Sequence, residues 1–267
     1  MKKLLIPIAL IVMLLACKNE PKNTALKFTS QSIKQEKMEA DSSSSFRADI
    51  QYLVAEGGNE GVAKAINDSI QNAITATLSF GGGDTILTKM DINTALAKFR
   101  KAYDDNLAET MKMPVKERFF SSYDYDSSVK EIFKNEKTTT ICINESYYMG
   151  GAHPTSTIRS YVFDNKTGKA IPLTALVKNR DALVKILEEN FRKEKEIDPK
   201  TPIEEVIFES EGSKNLPLPY SYEISEDGKG ITFIYDSDEV AAHALGSTIF
   251  TVPFESLAEC MDFSKIK

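Results

Sequence analysis

Val62, Ile66, Ile70, Ile74 and Leu78 recur at four-residue intervals between two glycine breaks, Gly57-Gly58 and Gly81-Gly82-Gly83. A stripe of that period is one face of an α-helix, and it requires a flat apolar surface to cover it. The segments before it supply that surface. Leu26, Phe28, Ser30 and Ser32 alternate with polar residues, and Phe46, Ala48, Ile50 and Tyr52 do so more clearly. Both read as strands, with the run Asp41-Ser42-Ser43-Ser44-Ser45 as the turn or loop between them. Asn59 is the expected N-cap of the helix. The glycine run after it lacks a following Gly-Lys-Ser/Thr, so it is a connection and not a phosphate cradle.

The remaining periodicities extend this pattern. Asp91 caps a second helix whose apolar face is Ile92, Leu96, Phe99, Tyr103, Leu107 and Met111, and Pro114 ends it. Residues 119–133 and 138–147 predict antiparallel strands, and 158–164 another. The run Asn165-Lys166-Thr167-Gly168 is a hairpin turn with glycine where positive φ is needed. A third helix over 181–195 turns Leu183, Leu187 and Phe191 inward. A short helix through Ile207 and strands at 220–225, 230–235 and 247–254 complete the chain. No internal repeat is found. The expected class is α+β, an antiparallel sheet or sheets with about three helices packed on them.

The N-terminus says where such a body resides. Lys2-Lys3, an apolar run over residues 4–15 and Leu14-Leu15-Ala16-Cys17 form a secretory signal ending in a lipobox. The apolar core falls short of the ~20 residues of a comfortable span. Residues 1–16 are the expected lipoprotein signal peptide, with Cys17 lipidated and residues 17–25 a tether. Residues 26–155 and 156–267 form an N-terminal and a C-terminal α+β module packed as one unit. The expected location is the cell envelope, outside the cytoplasm and attached to a membrane through the lipid on Cys17, with the face left open. Loss of residues 1–16 removes two lysines and no acids, taking the formal charge from −6 to −8. A domain that acidic repels phosphate backbones, which argues against nucleic acid as partner. Cys142 and Cys260 either pair or stay free; the sequence leaves both open.

Two stretches go beyond pattern. Tyr147-Tyr148-Met149-Gly150-Gly151-Ala152-His153-Pro154 places paired glycines at the end of a strand, where they adopt conformations closed to other residues. Either this loop presents aromatic faces and a polar tip to a ligand, or it is a strained turn in which His153 bonds to backbone. The second stretch runs from Tyr161-Val162-Phe163-Asp164 through Thr167-Gly168-Lys169. Together these resemble the RsiV-like family of bacterial envelope domains, the type grouped as domain of unknown function 3298. Tyr148, the run Gly150-Gly151-Ala152-His153, Tyr161, Phe163, Asp164, Thr167, Gly168 and Lys169 match its pattern. Upstream, residues 50–70, with Gly57-Gly58 and Ala65-Ile66-Asn67, are similar to the companion module found in PdaC-type peptidoglycan deacetylases.

The resemblance implies an extracytoplasmic binding domain. In RsiV the equivalent domain binds lysozyme; in PdaC-type enzymes it accompanies a separate catalytic domain that this chain lacks. Near the C-terminus Tyr235, Glu239, Ala241 and Gly246 fit the family pattern, but two prolines and two later tyrosines are gone, and His243 stands at an aromatic position, where packing is its expected role. With His153 and His243 the only histidines, neither HExxH nor a three-histidine zinc site is possible, and no GxSxG elbow is present. No cofactor or metal is expected. The sequence therefore predicts a non-catalytic, lipid-anchored binding module for a cell-wall glycan or a wall-directed protein such as lysozyme. Its candidate ligand residues are Tyr147, Tyr148, Gly150, Gly151, His153, Tyr235, Asp238 and His243. The alternatives are an accessory lipoprotein of an envelope complex and a cell-wall hydrolase with paired carboxylates.

Overall fold

The computed structural model describes residues 24–39, 43–58, 60–80, 90–208 and 215–267. Cys17, Asn59 and the glycine run at 81–83 lie outside them. Strands β1 (Thr24–Met38) and β2 (Ser45–Gly58) form a long antiparallel hairpin, followed by helices α1 (Glu60–Phe80) and α2 (Ile92–Lys112). Strands β3 (Tyr123–Lys134), β4 (Thr138–Tyr148) and β5 (Thr155–Asp164) complete a five-stranded sheet in the order β1-β2-β3-β4-β5. β1 begins at Thr24, so its first two residues fall within the expected tether.

One pair departs from the antiparallel pattern. β2 and β3 run parallel from Phe46↔Tyr123 to Ile50↔Ser127, because two helices separate them in the chain. Parallel neighbours require such a crossover. α2 packs Phe99 and Tyr103 onto Phe46 and Tyr123, the first paired residues of the two strands, with ring centroids 5.7 Å apart. All five residues of the α1 stripe are buried in the same core. Beyond Ile50 the pairing of β2 with β3 stops, and Asn67 of α1 takes its place. Its Oδ1 accepts from Ala55 N at 2.7 Å and its Nδ2 donates to Ala55 O at 2.9 Å. A single amide thus satisfies both backbone groups of a buried strand residue.

The second body comprises α3 (Arg180–Glu194), β6 (Ser221–Ile224), β7 (Gly230–Tyr235), β8 (Thr248–Pro253) and a four-residue α4 (Phe254–Leu257). Its sheet is antiparallel with β7 in the middle. β5 is the wall shared by the two bodies. Successive side chains of a strand face opposite ways, so Phe163 enters the core under α1 and α2 while Val162 enters the core of the second body. The turn after β5 is built on Asp164, whose Oδ1 accepts from Lys166 N and Thr167 N at 2.8 and 2.9 Å. Gly168 (φ +68°) lies against Val62 of α1. The Tyr-x-Phe-Asp-x-x-Thr-Gly-Lys stretch therefore builds a structural corner.

Two expectations are corrected. Met111 was placed on the apolar face of α2 and Phe119 in a strand, yet they are 50 % and 70 % exposed, and β3 starts only at Tyr123. The last turn of α2 meets no buried partner along that face, and Arg118 caps it by donating to the carbonyls of Met111 and Met113, both at 3.1 Å. Cys142 and Cys260 are buried and free. Among the described residues no helix is long and apolar enough to cross a membrane.

Candidate functional site

Alternation along β2 and β3 decides which face of the large sheet carries chemistry. Phe46, Ala48, Ile50, Tyr123 and Tyr125 point into the helical core. Arg47, Asp49, Gln51, Asp124 and Asp126 therefore occupy the opposite face. The parallel register sets Arg47 beside Asp124, and the β3–β4 register sets Asp124 opposite Tyr148 and Asp126 opposite Ser146. Arg47 Nε donates to Asp124 Oδ1 at 3.2 Å, while Nη1 and Nη2 grip both oxygens of Asp126 at 2.8 and 2.5 Å. The two aspartates raise the Arg47 guanidinium above its ordinary value, Asp126 contributing most, as expected of a bidentate charged pair.

A hollow of about 540 Å³ opens between this cluster, Tyr148 and His153. It shares Asp126 and Ser146 with a second hollow of about 450 Å³ that runs over Gln51, Ser128, Asn144 and Ser156. Together they form one polar trough across the outer face of β2 to β5, within the size range of ligand sites.

The rim of the trough is the loop between β4 and β5. Gly150 and Gly151 take φ of +88° and +111°, and a Cβ on Gly150 would stand 2.7 Å from Ser121 Oγ. Tyr148 Oη donates to Gly151 O at 2.9 Å, which fixes the bend. His153 lies 3.3 Å from Pro154 O through Nδ1, so the backbone contact is present. A second contact joins it. The ring of His243 stacks on that of His153 with centroids 4.1 Å apart and planes 18° apart. His243 Nδ1 is 2.8 Å from Asp238 Oδ2, and Asp238 holds a positive φ of +65°, uncommon for a residue with a side chain. His243 therefore packs against His153.

Of the candidate residues, Tyr148, Gly150, Gly151, His153, Asp238 and His243 converge on one rim. Tyr147 lines the first hollow and also packs on the helical core. Tyr235 does not join them. It is fully buried in the second body, packs edge-on to Phe191 at 5.5 Å and donates to Pro217 O at 2.8 Å. The reason is its strand: β7 is central and all six of its residues are buried, so its tyrosine cannot reach a ligand.

A larger groove of about 1040 Å³ follows the seam between β5 and β6, but its carboxylates are already engaged. Asp236 Oδ2 accepts from Ile158 N at 3.2 Å, and Glu239 accepts from Tyr220 N and Asp236 N at 2.9 and 2.8 Å. With Ser221 Oγ accepting from Ser160 N at 3.3 Å, these side chains close the free edge of β5. Burial pushes the carboxyls of Glu223, Asp236 and Glu239 above their ordinary range. A carboxyl with a raised folded-state pKa contributes stability that is complete below the unfolded value of ~4 and is lost as pH rises through the folded one. The thermal midpoint is expected to fall between mildly acidic and neutral pH. A midpoint that climbs over that interval would contradict this seam as described.

With this geometry established, comparison with known proteins becomes informative. Residues 39–156 match the deacetylase PdaC family, and residues 174–255 match DUF3298, a protein family of unknown function. Residues 39–156 are thus a PdaC domain and residues 174–255 a DUF3298 domain. A DUF3298 family member from Bacteroides fragilis shares its fold with a TM-score of 0.63 at 15% identity, over 90% of this chain and 94% of that one. A DUF3298 family protein from Pseudomonas aeruginosa PAO1 does so with a TM-score of 0.58 at 11% identity, over 88% and 95%. No curated protein matches in sequence.

The trough lies on the PdaC domain, and the DUF3298 domain reaches its rim through His243. Arg47, Asp124 and Asp126 are functional candidates that the sequence reading passed over. Their signal was the alternation itself, because charged residues at every second position of β2 and β3 share a solvent-facing side. The five-stranded sheet also hides a charged cluster. Glu145, whose side chain is 0% exposed, bonds Arg159 Nη1 and accepts from Tyr125 Oη at 2.6 Å.

Proposed function

We propose that this protein is a non-catalytic, lipid-anchored binding module of the bacterial cell envelope, and that a cell-wall glycan lies in the trough of the PdaC domain. One observation carries the reading: the Arg47–Asp124–Asp126 cluster, Tyr148 and His153 line one hollow, and His153 is backed by the ring of His243. Sugars present closely spaced hydroxyls to planar, polar side chains and their C–H faces to aromatic rings, and the trough offers both kinds of surface. The lipobox at Cys17 supports the envelope location. The carboxylates of the trough fit binding better than hydrolysis. Both oxygens of Asp126 and one of Asp124 are already taken up by Arg47. Among the described residues, no three His, Cys, Asp or Glu side chains are grouped to hold a metal.

Titration of the purified chain with soluble peptidoglycan fragments, and separately with lysozyme, tests this. Saturable glycan binding that weakens tenfold or more in Arg47→Ala is the expected result, in line with the loss of a charged, multidentate contact. Binding of lysozyme alone would make the ligand a protein. Binding of neither, at low salt and high concentration, removes the proposal.

A second reading, an accessory lipoprotein of an envelope complex, is favoured by one feature. Met111, Met113, Val115 and Phe119 are 43–75 % exposed on one short segment, the kind of apolar surface that marks protein contacts. Crosslinking at position 119 in intact envelopes is its test, and recovery of no protein partner there would count against it.

A further inference from the structure

Met149 packs against the helical core, but residues 150–153 are tied down sparingly. Tyr148 donates to Gly151 O, and the ring of His153 has a long contact to Pro154 O and its stack on His243. His153 is solvent-exposed on its own domain and lines the trough. The ring that backs it comes from the other domain and is itself held. His243 Nδ1 lies 2.8 Å from Asp238 Oδ2 and 3.4 Å from Ser237 Oγ. Asp238 keeps φ at +65° to make that contact, and residues retained in such sparsely populated conformations cluster at sites where position matters. These are the only two histidines in the sequence, and they lie 90 positions apart, His153 between β4 and β5 and His243 between β7 and β8.

We propose that His243 and Asp238 of the DUF3298 domain are positioning residues for His153. The trough of the PdaC domain is then complete only when the two domains are packed as described, and its occupancy is linked to that packing. The inference rests on the trough being the ligand site. It follows from the stack because a ring that fixes a wall of the site is fixed more firmly when the site is filled, and coupling of this kind acts in both directions. An aromatic pair of this geometry corresponds to roughly a two- to tenfold effect on a binding constant.

The test is hydrogen–deuterium exchange on the full chain, alone and with the tetramer of N-acetylglucosamine. In His243→Ala the amides of residues 149–153 are expected to exchange faster, with those of α1 and α3 unchanged. His243→Phe, which keeps a flat ring in place, is expected to restore protection. The tetramer is expected to bind His243→Ala two- to tenfold more weakly than the unaltered chain, and to slow exchange at residues 236–246 only where the stack is intact. Unaltered exchange at 149–153 in His243→Ala overturns the positioning role. If the unaltered chain does not bind the tetramer, the glycan reading loses its support, and the exchange of the free protein by itself still decides whether His243 holds His153.

Discussion

Replacing Arg159 with methionine is expected to destabilise the protein by about 3–5 kcal/mol at neutral pH, the usual effect of leaving a buried charge without its partner. Arg159 bonds Glu145 Oε2 and reaches Thr77 Oγ1 at 3.1 Å on α1. Burial pushes the Glu145 carboxyl up, and the guanidinium opposes that shift. Without Arg159 the carboxylate keeps only the hydroxyls of Tyr125 and Thr77, neither of which carries a counter-charge. The loss should shrink as pH falls, since a protonated Glu145 is neutral and no longer needs a counter-charge. The double variant Glu145→Gln with Arg159→Met is expected to recover much of the loss, because it removes the ion pair as a unit. Urea unfolding of the two variants and the unaltered chain at pH 7 and pH 5 is the measurement. Equal losses in the single and double variants would show that the two residues do not act as a pair.

Gly168→Ala is expected to lose about 3 kcal/mol. The left-handed backbone accounts for about 1 kcal/mol of this. The larger share comes from the new methyl group, which would stand 2.5 Å from Val62 O and 2.9 Å from Val62 Cα. Those atoms belong to the first turns of α1, so relief requires moving a helix and not a side chain. Gly151→Ala provides the comparison. It has the same sign of φ but open space around it, and it should lose no more than the backbone share. If the two variants melt together, close packing of the corner on α1 is not what holds Gly168.

Much of the fold could be read from the residues themselves. The stripe from Val62 to Leu78, the Asp91 cap, whose side chain accepts from Thr94 N at 3.0 Å, and the strands around Ile50, Ile143 and Ile231 each lie in local patterns that solvent exclusion imposes on any compact chain. The rim of the site was legible too, because Gly150-Gly151 announces an unusual backbone and His153 follows it directly. Its floor was not. Arg47 meets Asp124 and Asp126 only because β2 and β3 lie side by side in parallel, although β2 ends at Gly58 and β3 starts only at Tyr123. Tyr235 misled in the opposite way: its family position suggested a surface, whereas a place in the middle strand of a small sheet buries it.

Periodicity, caps and glycines act over a few residues, so the sequence by itself determined most of the helices and strands and which of their faces are apolar. Adjacency is a matter of the whole chain. The parallel join of β2 to β3, the division of β5 between two cores, and the meeting of His153 with His243 were decided only in the tertiary structure. Each depends on how distant surfaces bury one another, and no short-range pattern carries that information.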